Sequence, residues 1–188
     1  SLSLLSTHQV LCFGDEAVGG SCNDLGLTNV KEVMSTYEAF AATNHDGTVV
    51  CWPSSNINSG GQCHDISDDL VDVDFIRGND KAFVAVKHDG SVVCWGDPQA
   101  GGVCPEGLRD VAQVHSSSEA FVAVTKNNGN TVAWGNPDGG GACPTEGCPT
   151  GVKHVAATAR SFAALTDEGT VICWGDPDFG AVMPRPVG

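Results

Sequence analysis

Five times along the chain a short apolar strand runs into an aromatic residue, a turn and a glycine-rich step. The segments are VLCFGDEAVGGSC from Val10, VVCWPSSNINSGGQC from Val49, VVCWGDPQAGGVC from Val92, VAWGNPDGGGAC from Val132 and VICWGDPDFGAVM from Val171. The aromatic column, Phe13, Trp52, Trp95, Trp134 and Trp174, advances in steps of 39, 43, 39 and 40 residues. So steady a period marks a repeat architecture, in which one unit cannot bury its own faces and its neighbours complete the core.

Each period holds three strand candidates. The first alternates apolar and polar residues, as in LRDVAQV (Leu108 to Val114), and reads as a half-buried strand. The second is a short apolar run, AFVAV from Ala82 and again from Ala120, with Phe40, Phe83, Phe121 or Phe162 near its start. Asp46-Gly47, Asp89-Gly90, Asn128-Gly129 and Glu168-Gly169 follow. Asp-Gly and Asn-Gly supply the positive φ a hairpin needs. The third strand carries the aromatic column. No helical periodicity appears. The expected fold is all-β, a β-propeller-like array of about four to five three-stranded repeats, as a closed small ring or an open arc, with a β-solenoid as the alternative. Phe13, Trp52, Trp95, Trp134, Trp174, Phe40, Phe83, Phe121 and Phe162 are the expected structural core, filling the space between adjacent sheets.

One repeat domain is expected over residues 1–188: a partial unit 1–9, repeats at about 10–48, 49–91, 92–131 and 132–170, and a partial unit 171–188. SLSLLSTHQVLCFGD lies under FAALTDEGTVICWGD with the same apolar pattern. Ser1 to Leu5 is therefore expected to pair as a strand. In a closed ring its partner would come from Val171 to Trp174 or the segment after it. Opening on Ser1 rather than Met, the sequence reads as processed or as a piece of something longer.

Nine cysteines fall in a pattern. Cys12 and Cys22, Cys51 and Cys63, and Cys94 and Cys104 each flank one turn. The fourth unit has Ala133 in the first position, keeps Cys143 in the second and adds Cys148. In the fifth, Cys173 faces Met183 across the turn. Local disulfides in an oxidising compartment account for this pattern, with Cys173 left as a thiol or bonded to another chain. Buried reduced thiols and a zinc site are the other readings.

The formal charge is −14, from 9 basic and 23 acidic residues. Nucleic acid and anionic membranes are disfavoured, because both are bound by clustered Lys and Arg. A basic protein partner suits the charge. The densest acidic run, DISDDLVDVD, nominates Asp65, Asp68, Asp69, Asp72 and Asp74 as an interaction patch, against the plainer reading of a solvated loop. No apolar run approaches the roughly 20 residues that span a bilayer, so no direct membrane insertion is expected. His45 and His88 recur before Asp-Gly as rim ligands or, more simply, exposed turn residues. Asp15, Asp97, Asn136 and Asp176 recur after the aromatic-Gly step, as calcium ligands or as residues that bond their own turn. No nucleophile elbow, phosphate loop or His-Glu-x-x-His pair is present. No catalytic residue, cofactor or metal is therefore assigned.

FVAVKHDGSVVCWGDPQAGGVC and FAALTDEGTVICWGDPDFGA resemble the repeat family of the regulator of chromosome condensation. The short period is closer to its compact three-stranded variant, of the kind seen in bacterial beta-lactamase inhibitor protein II. The resemblance implies a propeller, commonly seven-bladed in that superfamily, that binds other proteins through loops at one end. Four full periods are fewer than seven. Nucleotide exchange on a GTPase and nucleosome docking fit a short acidic chain poorly. Repeats of this kind also resemble those of algal proteins, which adds the thylakoid lumen as a candidate compartment beside secretion. The resulting expectation is a non-enzymatic protein–protein interaction module. It would be an accessory or scaffold subunit of a larger complex, with the luminal side of a membrane energy-converting (photosynthetic) complex as one candidate host. The alternative is a free secreted inhibitor or recognition domain that binds a protein through its rim loops.

Overall fold

The structure, a computed structural model, describes residues 2–4, 10–53 and 55–181. Among the described residues fourteen strands form one two-stranded and four three-stranded antiparallel sheets, each a simple meander. The first unit is β1 (Leu2–Leu4) and β2 (Val10–Cys12). The second is β3 (Val30–Ser35), β4 (Phe40–Asn44) and β5 (Val49–Trp52). The third is β6 (Val73–Gly78), β7 (Ala82–Lys87) and β8 (Val92–Gly96). The fourth is β9 (Val111–Ser116), β10 (Ala120–Thr125) and β11 (Thr131–Gly135). The fifth is β12 (Val152–Ala157), β13 (Ser161–Thr166) and β14 (Val171–Gly175). Among the described residues the sheets do not close into a ring. β1 pairs with β2, Leu2 opposite Cys12, and not with the Val171 strand. Ser1 and Met183 lie outside the described residues.

The core lies between sheets, as it must when each sheet is a single layer. One cluster joins Ala41 of the second unit to Phe83, Ile76 and Trp95 of the third. The next joins Ala82, Val84 and Val86 to Phe121, Val114 and Trp134. The next joins Ala120, Val122 and Val124 to Phe162, Val155 and Trp174. Val10 and Cys22 of the first unit pack with Trp52 in the same manner. Inside each three-stranded unit the column Phe stands opposite the column Trp in register, and their rings stack at 5.3, 5.2, 5.5 and 5.6 Å between centroids.

Trp52, Trp95, Trp134, Trp174, Phe83, Phe121 and Phe162 are buried, and Phe40 is half-buried. Phe13 departs from its column: it is 59% exposed. It therefore does not belong to the core. Each tryptophan is covered by the turn of the unit before it, and among the described residues no such turn stands over Phe13.

After its last strand each unit makes a short 3₁₀ turn. Asp15, Asp97, Asn136 and Asp176 each cap it by accepting from the backbone N–H two residues on, at 2.9–3.0 Å. Pro98, Pro137 and Pro177 sit at the start of their turns, where no N–H is needed. In the second unit a cis Trp52–Pro53 bond stands where the other units have a positive-φ glycine. The turn brings the chain back beside the third strand. There Cys12–Cys22, Cys51–Cys63 and Cys94–Cys104 are bonded, and Cys143–Cys148 closes a smaller loop of its own. Cys173 is a free, half-buried thiol.

Candidate functional site: a rim groove and the seats between sheets

Three recurring kinds of hydrogen bond join successive units, and these fix where the loops stand. In the first, the indole Nε1 of Trp52, Trp95, Trp134 and Trp174 donates to the carbonyl of Gly19, Gly60, Gly101 and Gly140, the glycine closing the preceding unit's turn, at 3.2, 3.0, 3.1 and 3.1 Å. Those glycines have positive φ, and a Cβ on any of them would meet the next unit's Phe ring at 2.6–2.7 Å. Glycine is required both for the backbone conformation and for the ring resting on it. In the second, the N–H of Val73, Val111 and Val152 donates to the hairpin carbonyl of Gly47, Gly90 and Gly129, all at 3.0 Å. In the third, the N–H of Tyr37, Asp80 and Ser118 donates to the carbonyl of Asp80, Ser118 and Ala159 in the next unit, at 3.0, 3.0 and 2.9 Å.

The third kind gathers the corners between first and second strands along one rim. There a groove of about 520 Å³ is lined by Val18, Tyr37, Glu38, Asn58, Ser59, Asp80, Lys81 and Asp97. Three units contribute to it. Tyr37, the sole tyrosine, is 78% exposed. Its backbone is held by the bond to Asp80, so the ring stands on a fixed corner. Lys81 is already engaged: its Nζ lies 2.6 Å from Glu119 Oε1. That contact raises the lysine's pKa, and with Asn136 it lowers that of Glu119. Glu38, Asp80 and Asp97 are left as the groove's net charge, with Glu38 accepting from Ser59 Oγ at 2.9 Å. The arrangement can hold an extended segment that brings an apolar side chain to Tyr37 and positive charge to the carboxylates.

The acidic run lies elsewhere. Asp65, Asp68, Asp69 and Asp72 are exposed on the connection into β6. Asp72 has a positive φ, and its carbonyl accepts from His88 N–H at the hairpin rim, the opposite end of the strands from Tyr37. Asp74 is engaged by Lys31 at 3.2 Å and stands 3.9 Å from His88 Nδ1. His45 and His88 sit on separate hairpins, each donating its backbone N–H to the residue before its own first strand. Along the first strands, His115 and His154 meet edge to face at 6.2 Å. Burial, then His154 and Arg77, lower the pKa of His115. Among the described residues no group of three or more His, Cys, Asp or Glu side chains is arranged to hold a metal, and no helix is long and apolar enough to cross a membrane.

Sequence reading missed Tyr37 and the glycine seats. The groove draws on residues from 18 to 97, which no local motif joins. The seats do leave a signal, one glycine six residues after each aromatic column residue, or eight after Trp52.

Residues 152–181 match the Regulator of chromosome condensation (RCC1) repeat. No curated protein matches the chain in sequence. Among solved structures it is similar to the ectodomain of the Physcomitrella patens receptor kinase CR4, at TM-score 0.65 and 19% identity, over 93% of this chain and 49% of that one. It is similar to yeast RCC1 (Prp20) in complex with Kap60, at TM-score 0.57 and 14% identity, over 78% of this chain and 43% of that one. The CRINKLY WD40 ectodomain of the Arabidopsis thaliana receptor kinase ACR4 gives TM-score 0.55 and 18% identity, over 82% and 52%. The chain thus spans about half the length of these structures, and at such identities the likeness is one of fold. That match falls on the fifth sheet and its turn, and the three sheets before it have the same order of strands, turn and tryptophan seat.

Proposed function

We propose that the protein is a non-enzymatic interaction module that serves as an accessory or scaffold subunit of a larger assembly, holding a basic segment of a partner protein in the groove at Tyr37. The observation that carries this reading is the groove itself: an exposed aromatic on a hydrogen-bonded corner, beside apolar Val18 and the carboxylates of Glu38, Asp80 and Asp97. Aromatic side chains of this kind are frequent anchors of interfaces. The Prp20 structure is itself a complex with another protein. Four disulfides suit an oxidising environment, a secretory or organelle lumen. The luminal side of a membrane energy-converting (photosynthetic) complex is the host suggested by the likeness of these repeats to algal ones.

The test is native purification of the wild-type chain beside Tyr37→Ala and the double change Glu38→Gln with Asp80→Asn. The wild type should retain a defined partner. Tyr37→Ala should weaken that partner's binding by about thirtyfold, the effect of losing an interface anchor of about 2 kcal/mol. The charge variant should flatten the salt dependence of binding. Co-purification with a membrane complex supports the scaffold reading, and a single soluble partner points to a free recognition domain. A partner indifferent to all three positions would sink the groove as its site.

A further inference from the structure

The four disulfides are not of one kind. In Cys12–Cys22, Cys51–Cys63 and Cys94–Cys104 the first sulfur belongs to a strand, β2, β5 or β8, and the second lies past the turn that folds back beside it. All six of these cysteines are buried or half-buried, and Cys12, Cys22, Cys51, Cys63 and Cys94 pack with the clusters between sheets. Cys143–Cys148 has no such support. Both residues lie in the connection from β11 to β12, outside any strand. They are 5 residues apart, against 10 or 12 in the other pairs. Cys143 is half-buried, but Cys148 is exposed, together with Thr145, Glu146 and Gly147 of the same loop.

The exposed cysteine also lines a cavity. A pocket of about 670 Å³ has Glu146, Cys148 and Pro149 of the loop on one side and Asp167, Glu168 and Ile172 of the β13–β14 hairpin on the other. Lys153 pairs with Asp167 at 3.3 Å, which leaves Glu146 and Glu168 as the pocket's charge. Just past the bond, the carbonyl of Pro149 accepts from both the N–H and Oγ1 of buried Thr131, at 3.0 and 2.7 Å. The fold thus ties down the end of the loop, and the disulfide alone closes its exposed part. A disulfide resists reduction to the extent that the fold keeps its two sulfurs together once they are thiols. A strand and its turn do this for the first three pairs. An irregular loop does it poorly, and exposed disulfides are the ones that exchange.

We propose that Cys143–Cys148 is a thiol–disulfide exchange site, entered through this pocket by a dithiol carried on a neutral or basic surface. The incoming thiolate bonds to Cys148 Sγ. The S–S bond breaks, and its electron pair leaves on Cys143 Sγ, which takes a proton from water. The second thiol of the same reductant then attacks the mixed disulfide and frees Cys148. The protein gains two electrons and two protons, and the dithiol becomes a disulfide. Reduction opens the loop beside the pocket and leaves every sheet intact. The site does not depend on the Tyr37 groove, which lies at the other end of the strands.

The experiment is graded reduction of the full chain with dithiothreitol, alkylation of the thiols formed, and peptide mapping. It is run on wild type and on Cys173→Ala, in which no free thiol can reshuffle the bonds. Cys143 and Cys148 should label at a dithiol concentration about tenfold or more below the one that opens the other three pairs, with unchanged circular dichroism. A short pulse of a monothiol should leave its cap on Cys148. Cationic cysteamine should cap it about threefold faster than anionic glutathione, once each is normalised to a small disulfide, and salt should shrink the difference. Reduction of all four bonds together, or of a strand-borne bond first, would overturn the proposal. So would a cap on Cys143, and equal normalised rates would strike the stated charge of the partner. The double change Cys143→Ser with Cys148→Ser should keep the fold, and its unfolding would make the bond a structural one and overturn the proposal as well.

Discussion

Val86 and Val124 are 1% and 3% exposed; Leu165, at the same place in the fifth unit, is 38% exposed. The three strands share a sequence pattern and pair in the same order, with a hairpin one residue longer in the fourth unit. The difference in burial comes from what lies beyond. Between the third and fourth units, the outward face of one sheet meets the Phe, Trp and first-strand valines of the next. On the fifth unit Leu165 and Val171 of the same face are exposed, and among the described residues no sheet covers them. Burial in such an array belongs to the pair of units and not to either sequence alone. Stability is then close to a sum of unit terms and nearest-neighbour terms, and a side chain's worth depends on whether its neighbour exists.

The largest effect should come from the aromatic column. Trp95→Ala should lower unfolding stability by about 3–5 kcal/mol, the usual cost of emptying a large core site. Phe13→Ala should change it by about 0.5 kcal/mol or less, as surface substitutions do. Chemical denaturation of both variants checks the contrast, and similar losses would mean that Phe13 is covered after all.

The seats give the next largest difference. Gly101→Ala puts a methyl 2.7 Å from the Phe121 ring at a φ of +96°, so overpacking adds to backbone strain. A loss of about 2–4 kcal/mol is expected. Gly180→Ala carries comparable strain at φ +102°, but its nearest contact is 3.7 Å away. It should lose only about 1–2 kcal/mol. Equal losses would show that the ring contact contributes nothing.

A smaller effect has the opposite sign. Thr43 stands in the Val86 and Val124 column, is buried, and its hydroxyl has no hydrogen-bond partner among the described residues. Thr43→Val should stabilise by about 1 kcal/mol by removing an unsatisfied polar group without changing shape. A destabilised valine variant would reveal an unseen partner for the hydroxyl.

The smallest expected effect is on pH dependence. His115 has a pKa below its ordinary 6.5, chiefly from burial and next from His154 and Arg77. The unfolded chain therefore takes up this proton first on acidification. The contribution of neutral His115 is full above about pH 6.5 and is lost as pH falls from there through the lower folded value. Thermal unfolding at about pH 7.5 and 5.5 should show a smaller acid-induced drop for His115→Gln than for wild type. An identical drop would place the acid sensitivity elsewhere.

Much of the fold was legible because the repeat is written in residues whose physics is local. Asp-Gly and Asn-Gly fix hairpins, Asp or Asn before the turn fixes a cap, and Phe and Trp fall opposite each other once the hairpin is set. Cysteines ten residues apart around one doubled-back turn pointed to their bonds in the same way. Phe13 was misplaced because its column says which way a residue faces and not whether a neighbour covers it. The Tyr37 groove was hidden because corners and turns of three units make it, and only the unit-to-unit bonds reveal that they share a rim. The acidic run stood out in sequence, yet Asp72 and Asp74 are spent on a backbone turn and an ion pair.

The glycine seats also set a direction in time. Each tryptophan finds its acceptor 33 to 35 residues behind it in the chain. The turn that forms that acceptor can be fastened by a disulfide spanning only 10 or 12 residues in each of the first three units. A chain leaving the ribosome or a translocation pore therefore completes every docking site before the side chain that will use it emerges. Growth proceeds by accretion on one moving edge, and at each moment a single face of constant design is open to misassembly.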